Sequence, residues 1–255
     1  MATAEAGTRD ATLSSSSKAL LLLEVLARAD GPIGVCEVAT RAGLSKPTAH
    51  RLLKTLEEHQ FVGRSGMKYR VGNRLFEMCQ AARESEWGAL RNASWVVLSE
   101  LFEQTRSTVH LAVLEGVDVL YLEKITGAGP LLPTRVGDRY PATCTALGKA
   151  MLAFGDQGAI DRVLGQPLVG RTPYSVRTKE QLLGQLGEAR QRGYAVEREE
   201  ARIGRWCVAA PVVRGGRVLG AVSICSLVGN GSIEGRGQLV VDAARRIERR
   251  CPAEV

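Results

Sequence analysis

A chain of 255 residues, 45% apolar and 24% charged, is long enough for one large domain or two smaller ones with real cores, and its composition excludes a disordered chain. Its net charge of +7 and pI of 9.3 invite an anionic partner without naming one. No segment reaches the roughly 20 apolar residues that span a bilayer, so no membrane partner is expected.

The six cysteines (Cys36, Cys79, Cys144, Cys207, Cys225 and Cys251) form no C-x-x-C pair. They fit neither a zinc ribbon nor a disulfide framework, so reduced thiols in a cytoplasmic protein, with no metal and no cofactor, are the expectation. The charge is unevenly spread. Between Lys18 and Arg74 ten bases face five acids, a net of +5 out of +7.

Residues 1–16 carry two acids, one base and no apolar core segment, which reads as a disordered leader and not a signal peptide. Ser17 is placed to cap a helix "KALLLLEVLAR" ending at Asp30-Gly31-Pro32. Leu20 to Leu23 surround that helix, and an element apolar on every side is buried on more than one, which points to a second subunit. In "VCEVATRAG" the stripe Val35, Val38, Ala39, Ala42 ends at a Gly43 C-cap.

Ser45 then caps a further helix that tolerates Pro47 in its first turn. Ala49, Leu52, Leu53 and Leu56 define its buried face, which leaves Lys46, Thr48, His50, Arg51 and Lys54 outside. Two helices joined by a short Gly-containing turn, the second basic outside, form a helix-turn-helix pattern over residues 35–58. "FVGRSGMKYRV" (61–71) reads as a hairpin turning at Ser65-Gly66, with Lys68 and Arg70 opposite Tyr69 and Val71. A basic hairpin following a helix-turn-helix is a wing, so double-stranded DNA becomes the expected partner. Thr48 and Arg51 are the candidate base readers; Lys46, His50 and Lys54 are placed at phosphates or nearby base edges, and Arg64, Lys68 and Arg70 at the backbone or minor groove.

The unit at residues 17–73 gives way to a linker helix (74–86) and a second domain (87–255). Strands are expected in "STVHLAVLEG" and "VDVLYLEKITG", parted at Glu115-Gly116, followed by a Gly/Pro-rich loop and a helix "TALGKAMLAFG". A helix "TKEQLLGQLGEARQRG", the strands "YAVERE", "WCVAAPVVR" and "RVLGAVSICSL", and a closing helix complete an α+β domain with an antiparallel sheet.

Four separated stretches, "TAHRLLKTLEEHQFV", "KYRVGNRLFEM", "CTALGKAMLA" (Cys144 to Ala153) and "GYAVEREEARIGRWCVAAPVV" (Gly193 to Val213), stand in the order found in the IclR family of bacterial transcriptional regulators, which this chain resembles from about Ser17 to Arg250. The resemblance implies an N-terminal winged helix-turn-helix and a GAF-like (profilin-like) effector domain. It also implies DNA binding as a homodimer or homotetramer, tuned by a small organic acid, and no enzymatic activity. By the same resemblance Ala146, Leu147, Glu197, Cys207, Ser223 and Cys225 fall at ligand-facing positions. The chain departs from the family pattern in having Glu197 where Asp is usual, Val213-Arg214 where an aromatic and then Asp or Asn is usual, and Ser223-Ile224-Cys225 where Ser-x-Ser is usual.

The residues suggest a pocket chemistry beside this. A helix starting after Thr143 or Thr145 presents free amides to a carboxylate, and Ser223 adds a hydroxyl. Leu132 and Tyr140 offer an apolar wall, which suits a hydrophobic organic acid, aromatic ones included. Arg135 and Arg205 have two readings, as cations facing an acid or, favoured for each, as surface residues. The rival reading is a cytosolic thiol or redox sensor, or a Cys-dependent enzyme, built on Cys144 with His110 as the one histidine outside the DNA-binding segment. A protein-binding role for the basic face is a third reading, which the wing disfavours.

Overall fold

Four consecutive serines offer several caps for the first helix, and the computed structural model, which describes residues 13–81, 86–127 and 132–252, uses Ser14. Its hydroxyl accepts the Ser17 N–H at 3.1 Å, so helix α1 (Ser15–Ala27) starts inside the segment expected to be leader. The rest of that leader, residues 1–12, lies outside the described residues. The chain divides into two units, one up to Glu84 and one from Ser85.

In the first unit, strand β1 (Ile33–Gly34) leads into α2 (Val35–Ala42), which Gly43 ends at φ 65°. The Ser45 hydroxyl accepts the Thr48 N–H and starts α3 (Lys46–Glu58). Val38, Ala39 and Ala42 of α2 pack with Ala49 and Leu53 of α3 and Leu22 and Leu26 of α1 in one core. The stripes expected from the sequence are thus the packing faces. β2 (Val62–Ser65) and β3 (Lys68–Val71) complete a three-stranded antiparallel sheet, order β1-β3-β2. Ser65 pairs with Lys68, so the hairpin turns one residue later than expected, at Gly66-Met67, where Gly66 supplies the positive φ (62°). Helix α4 (Asn73–Ala81) belongs to this unit, and residues 82–85 of the expected linker helix lie outside the described residues.

The second unit is a six-stranded antiparallel sheet, order β6-β5-β4-β9-β8-β7, of β4 (Thr108–Glu115), β5 (Asp118–Ile125), β6 (Arg139–Pro141), β7 (Ala195–Arg198), β8 (Arg205–Arg214) and β9 (Arg217–Leu227). Alternation along β8 and β9 builds two cores. Trp206, Val208, Ala210, Val222 and Ile224 face the helices α5 (Glu86–Thr105) and α9 (Ile233–Arg250). Cys207, Ala209 and Ala221 face α6 (Ala146–Phe154), α7 (Gln157–Leu164) and α8 (Lys179–Arg192). The α+β architecture is the one the sequence implies. The first hairpin turns at Gly116-Val117, since Glu115 pairs with Asp118. β1, β6, α7 and the 3₁₀ turn Ala142–Cys144 are additions to the elements expected from the sequence.

That turn positions the start of α6. Gly148 lies so close to it that a Cβ there would sit 2.2 Å from the Ala142 carbonyl oxygen, so only glycine fits.

Candidate functional site

Two surfaces carry chemistry, one in each unit. In the first, Lys46, His50, Arg51 and Lys54 are all exposed on α3, as are Lys68 and Arg70 on β3. Lys54 stands 4.0 Å from Glu58, an exposed pair on one helix face that holds neither side chain tightly. Thr48 is half-buried and its hydroxyl accepts from the Ser45 hydroxyl at 2.8 Å, which ties it to the helix start. Arg64, expected at the DNA, is exposed and also has partners within its own unit. Its Nε donates to Glu57 at 3.0 Å, another nitrogen donates to the Tyr69 hydroxyl at 2.8 Å, and its guanidinium lies 4.8 Å from the Tyr69 ring centre. These contacts join the wing to α3.

In the second unit a cavity opens on the α6 face of the sheet. All eight residues expected at an effector site, Leu132, Tyr140, Ala146, Leu147, Glu197, Cys207, Ser223 and Cys225, line it. They come from six separate segments, brought together by strand register. Glu197 pairs with Cys207 and Cys207 with Cys225, forming one row across β7, β8 and β9. Ala209, Ser223 and His110 form the next row.

The N-terminus of α6 faces this space. The Thr145 hydroxyl accepts the Gly148 N–H at 3.0 Å, while Ala146 and Leu147, whose first-turn amides have no intrahelical acceptor, line the cavity. Leu132 and Thr134 are held against the wall by Lys124, whose ammonium donates to both carbonyls at 2.7 Å. Tyr121 and Tyr140 meet edge to face, as do Tyr121 and His110. Arg171 stacks 4.3 Å over the Tyr140 ring, and Arg202 and Arg205 complete the cationic part of the lining. Arg205 is therefore a cavity residue, the less favoured of its two readings, because β8 begins at the cavity; Arg135 is exposed.

The floor is acidic. Glu197 is 1% exposed, and one carboxylate oxygen accepts the Ala201 N–H at 2.8 Å while the other has no hydrogen-bond partner. Burial pushes its pKa up to about 7, against the pull of the Ala201 hydrogen bond and the Lys149 charge. Lys149, fully buried, is instead committed to Glu200 at 2.5 Å. Burial lowers the His110 pKa to about 3, aided by the Lys124 charge, so the ring is neutral and its Nε2 sits 2.9 Å from the Thr134 hydroxyl.

The geometry does not assemble the rival Cys144–His110 site. The Cys144 thiol donates to the Val169 carbonyl at 3.5 Å and is absent from the cavity lining, whereas His110 is paired with Thr134. Among the described residues no three His, Cys, Asp or Glu side chains are grouped to hold a metal ion, and no helix is long and apolar enough to cross a membrane. Sequence reasoning missed Tyr121, Arg171 and Arg202. Arg171 and Arg202 lie in irregular segments, where neither periodicity nor spacing signals which way a side chain points.

Residues 15–66 match the IclR helix-turn-helix domain, and residues 88–249 match the family described as bacterial transcriptional regulator IclR C-terminal. The HTH-type transcriptional regulator XynR of Escherichia coli (strain K12) is 32% identical over 220 residues, 84% of this chain and 86% of XynR. The regulator KdgR of Dickeya chrysanthemi is 33% identical over 229 residues, 88% of this chain and 74% of KdgR. Among solved structures, an IclR homolog from Microbacterium hydrocarbonoxydans complexed with 4-hydroxybenzoate has a TM-score of 0.83 at 26% identity, covering 93% of this chain and 99% of that one.

Proposed function

The chain belongs to the IclR family of DNA-binding transcriptional regulators, and from that premise we propose that a small organic acid, an aromatic one fitting best, occupies the cavity of its C-terminal effector domain and tunes operator binding. The observation that carries this reading is the cavity itself: an aromatic and aliphatic wall (Tyr121, Tyr140, Leu132, Leu147) meets the α6 N-terminus, the Ser223 hydroxyl and three arginines. A carboxylate gains from the helix-end amides and the cationic lining, and a ring gains from the wall. The 4-hydroxybenzoate in the Microbacterium homolog is an acid of this kind.

At the DNA, α3 enters the major groove with Arg51 reading a base edge, while Lys46, His50, Lys54, Lys68 and Arg70 contact the backbone or nearby edges. Thr48 acts near the helix start, and Arg64 holds the wing against α3. The protein acts in the cytoplasm as a homodimer or homotetramer. Support for the assembly comes from Leu20, 62% exposed on α1 beside the buried Leu22.

Fluorescence anisotropy on duplex DNA from upstream of the gene, with a shuffled duplex as control, tests the reading across a salt series and with benzoate or 4-hydroxybenzoate added. Salt-steep binding that prefers the native duplex and shifts with the acid is expected. Arg51→Ala is expected to lose about 1–3 kcal/mol of that preference and keep general affinity. Full discrimination in Arg51→Ala refutes the groove assignment, and no change with any aromatic acid refutes the effector class.

A further inference from the structure

Cys207 and Cys225 stand directly opposite each other on neighbouring antiparallel strands, with both side chains in the lining of one cavity. Residues so paired have Cα atoms roughly 4.5–5.5 Å apart, inside the 4.4–6.8 Å window of disulfides, and side chains on the same face. Both cysteines are free thiols. Glu197, next in the same row, brings a carboxylate oxygen without a hydrogen-bond partner to the side of Cys207.

We propose that Cys207 and Cys225 form a reversible dithiol–disulfide site in the cavity floor, oxidised by hydroperoxides, with Glu197 as the proton acceptor for Cys207. In the first step Glu197 takes the Cys207 proton, and the thiolate sulfur attacks the peroxide O–O bond. The bond breaks to give Cys207 sulfenic acid and an alkoxide or hydroxide that takes the proton back from Glu197. In the second step the Cys225 sulfur attacks the sulfenic sulfur. The S–S bond forms as the S–O bond breaks, and the Cys225 proton leaves with the hydroxyl as water. Two thiols and one hydroperoxide thus yield a disulfide, an alcohol (water, for hydrogen peroxide) and a water molecule.

The remaining cysteines do not share this placement. Cys36 and Cys79 are exposed in the first unit, and Cys144 and Cys251 lie outside the cavity lining. The hydrogen bond with Cys225, together with burial and the nearby Glu197, pushes the Cys207 thiol well above its usual pKa, so the reaction is slow at neutral pH and speeds up as pH rises. The bond removes two thiols from the floor and ties β8 to β9 there, which makes the shape of the effector space depend on oxidation.

The test uses full-length protein carrying Cys36→Ser and Cys79→Ser, which removes the exposed thiols. Phenylarsine oxide, a trivalent arsenical that bridges two neighbouring thiols, is expected to bind one per chain and to be lost in Cys225→Ser. Hydrogen peroxide followed by alkylation, digestion and mass spectrometry is expected to yield a Cys207–Cys225 linked peptide that dithiothreitol resolves. The mapping is made on the unsubstituted pair, so it stands even where Cys225→Ser folds poorly. Glu197→Gln is expected to slow formation at least tenfold near neutral pH. Recovery of both cysteines as separately alkylated thiols, or of Cys207 as sulfinic acid with Cys225 free, overturns the proposal. None of these readouts uses DNA or an organic acid, so they are independent of the effector reading.

Discussion

Replacing Glu197 with Gln removes the one carboxyl that the cavity holds out of its usual titration range. Folding raises its pKa from 4.5 to about 7, chiefly because burial disfavours the charged form. The folded chain therefore holds this proton more tightly than the unfolded chain does. The resulting stability is fully present below pH 4.5 and is lost as pH rises through about 7. At about 1.4 kcal/mol for each tenfold change in proton affinity, the full loss is about 3 kcal/mol, of which about 2–3 kcal/mol falls between about pH 5 and about pH 8. Gln is isosteric, can still accept the Ala201 N–H, and carries no titrating proton. Urea unfolding followed by tryptophan fluorescence measures the effector unit selectively, because Trp87, Trp95 and Trp206 all lie there. Glu197→Gln is expected to gain on the wild type steadily as pH rises across that window. A stability difference that stays flat with pH refutes the reasoning, since it means that the cavity solvates the carboxylate as well as bulk water does.

Other substitutions probe the same framework. Lys149→Met strands the Glu200 carboxylate, 4% exposed, without its cation and is expected to cost about 3–5 kcal/mol in urea unfolding; adding Glu200→Gln is expected to recover much of that. Gly148→Ala forces a Cβ against the Ala142 carbonyl, so the α6 N-terminus must shift; a lower melting temperature and weaker binding of aromatic acids are expected by differential scanning fluorimetry and calorimetry. Lys68→Ala on the exposed face of the wing is expected to weaken native and shuffled duplexes alike and to lower the salt slope by about one in anisotropy titrations.

Local physics made much of this protein legible. Ser45 and Gly43 bracket the helix-turn-helix because a hydroxyl caps a helix start and glycine tolerates a positive φ, and both signals reside in one or two residues. The stripes on α2 and α3 likewise follow from the helical period, so the basic face of α3 is legible in the residue order alone. Helix α7 carries a signal too, an Asp156 cap ahead of Ala159, Ile160 and Val163, but it is only eight residues long and its stripe is correspondingly brief. Where several residues compete for one role, as Ser14 to Ser17 do at α1, the sequence leaves the choice to packing.

The cavity is of another kind. Six of its eight anticipated residues were legible through resemblance to known proteins and two, Leu132 and Tyr140, through their apolar character ahead of α6, and nothing in their own spacing says that Leu132 lies near Ser223. Strand register alone makes Glu197, Cys207 and Cys225 neighbours, and a slip of one residue would turn each of them to the opposite face. The Lys149–Glu200 pair, 51 positions apart in the chain, is likewise set by tertiary packing. Arg64, read as a DNA contact from its place in the wing, gains Glu57 and Tyr69 as partners once β2 folds against α3. The sequence by itself determined the elements, their faces and the basic helix, because these depend on neighbours within a few residues. Which carboxyl is buried without a cation and which thiols face each other was decided only by the tertiary structure, because burial and cross-strand pairing depend on segments far apart in the chain.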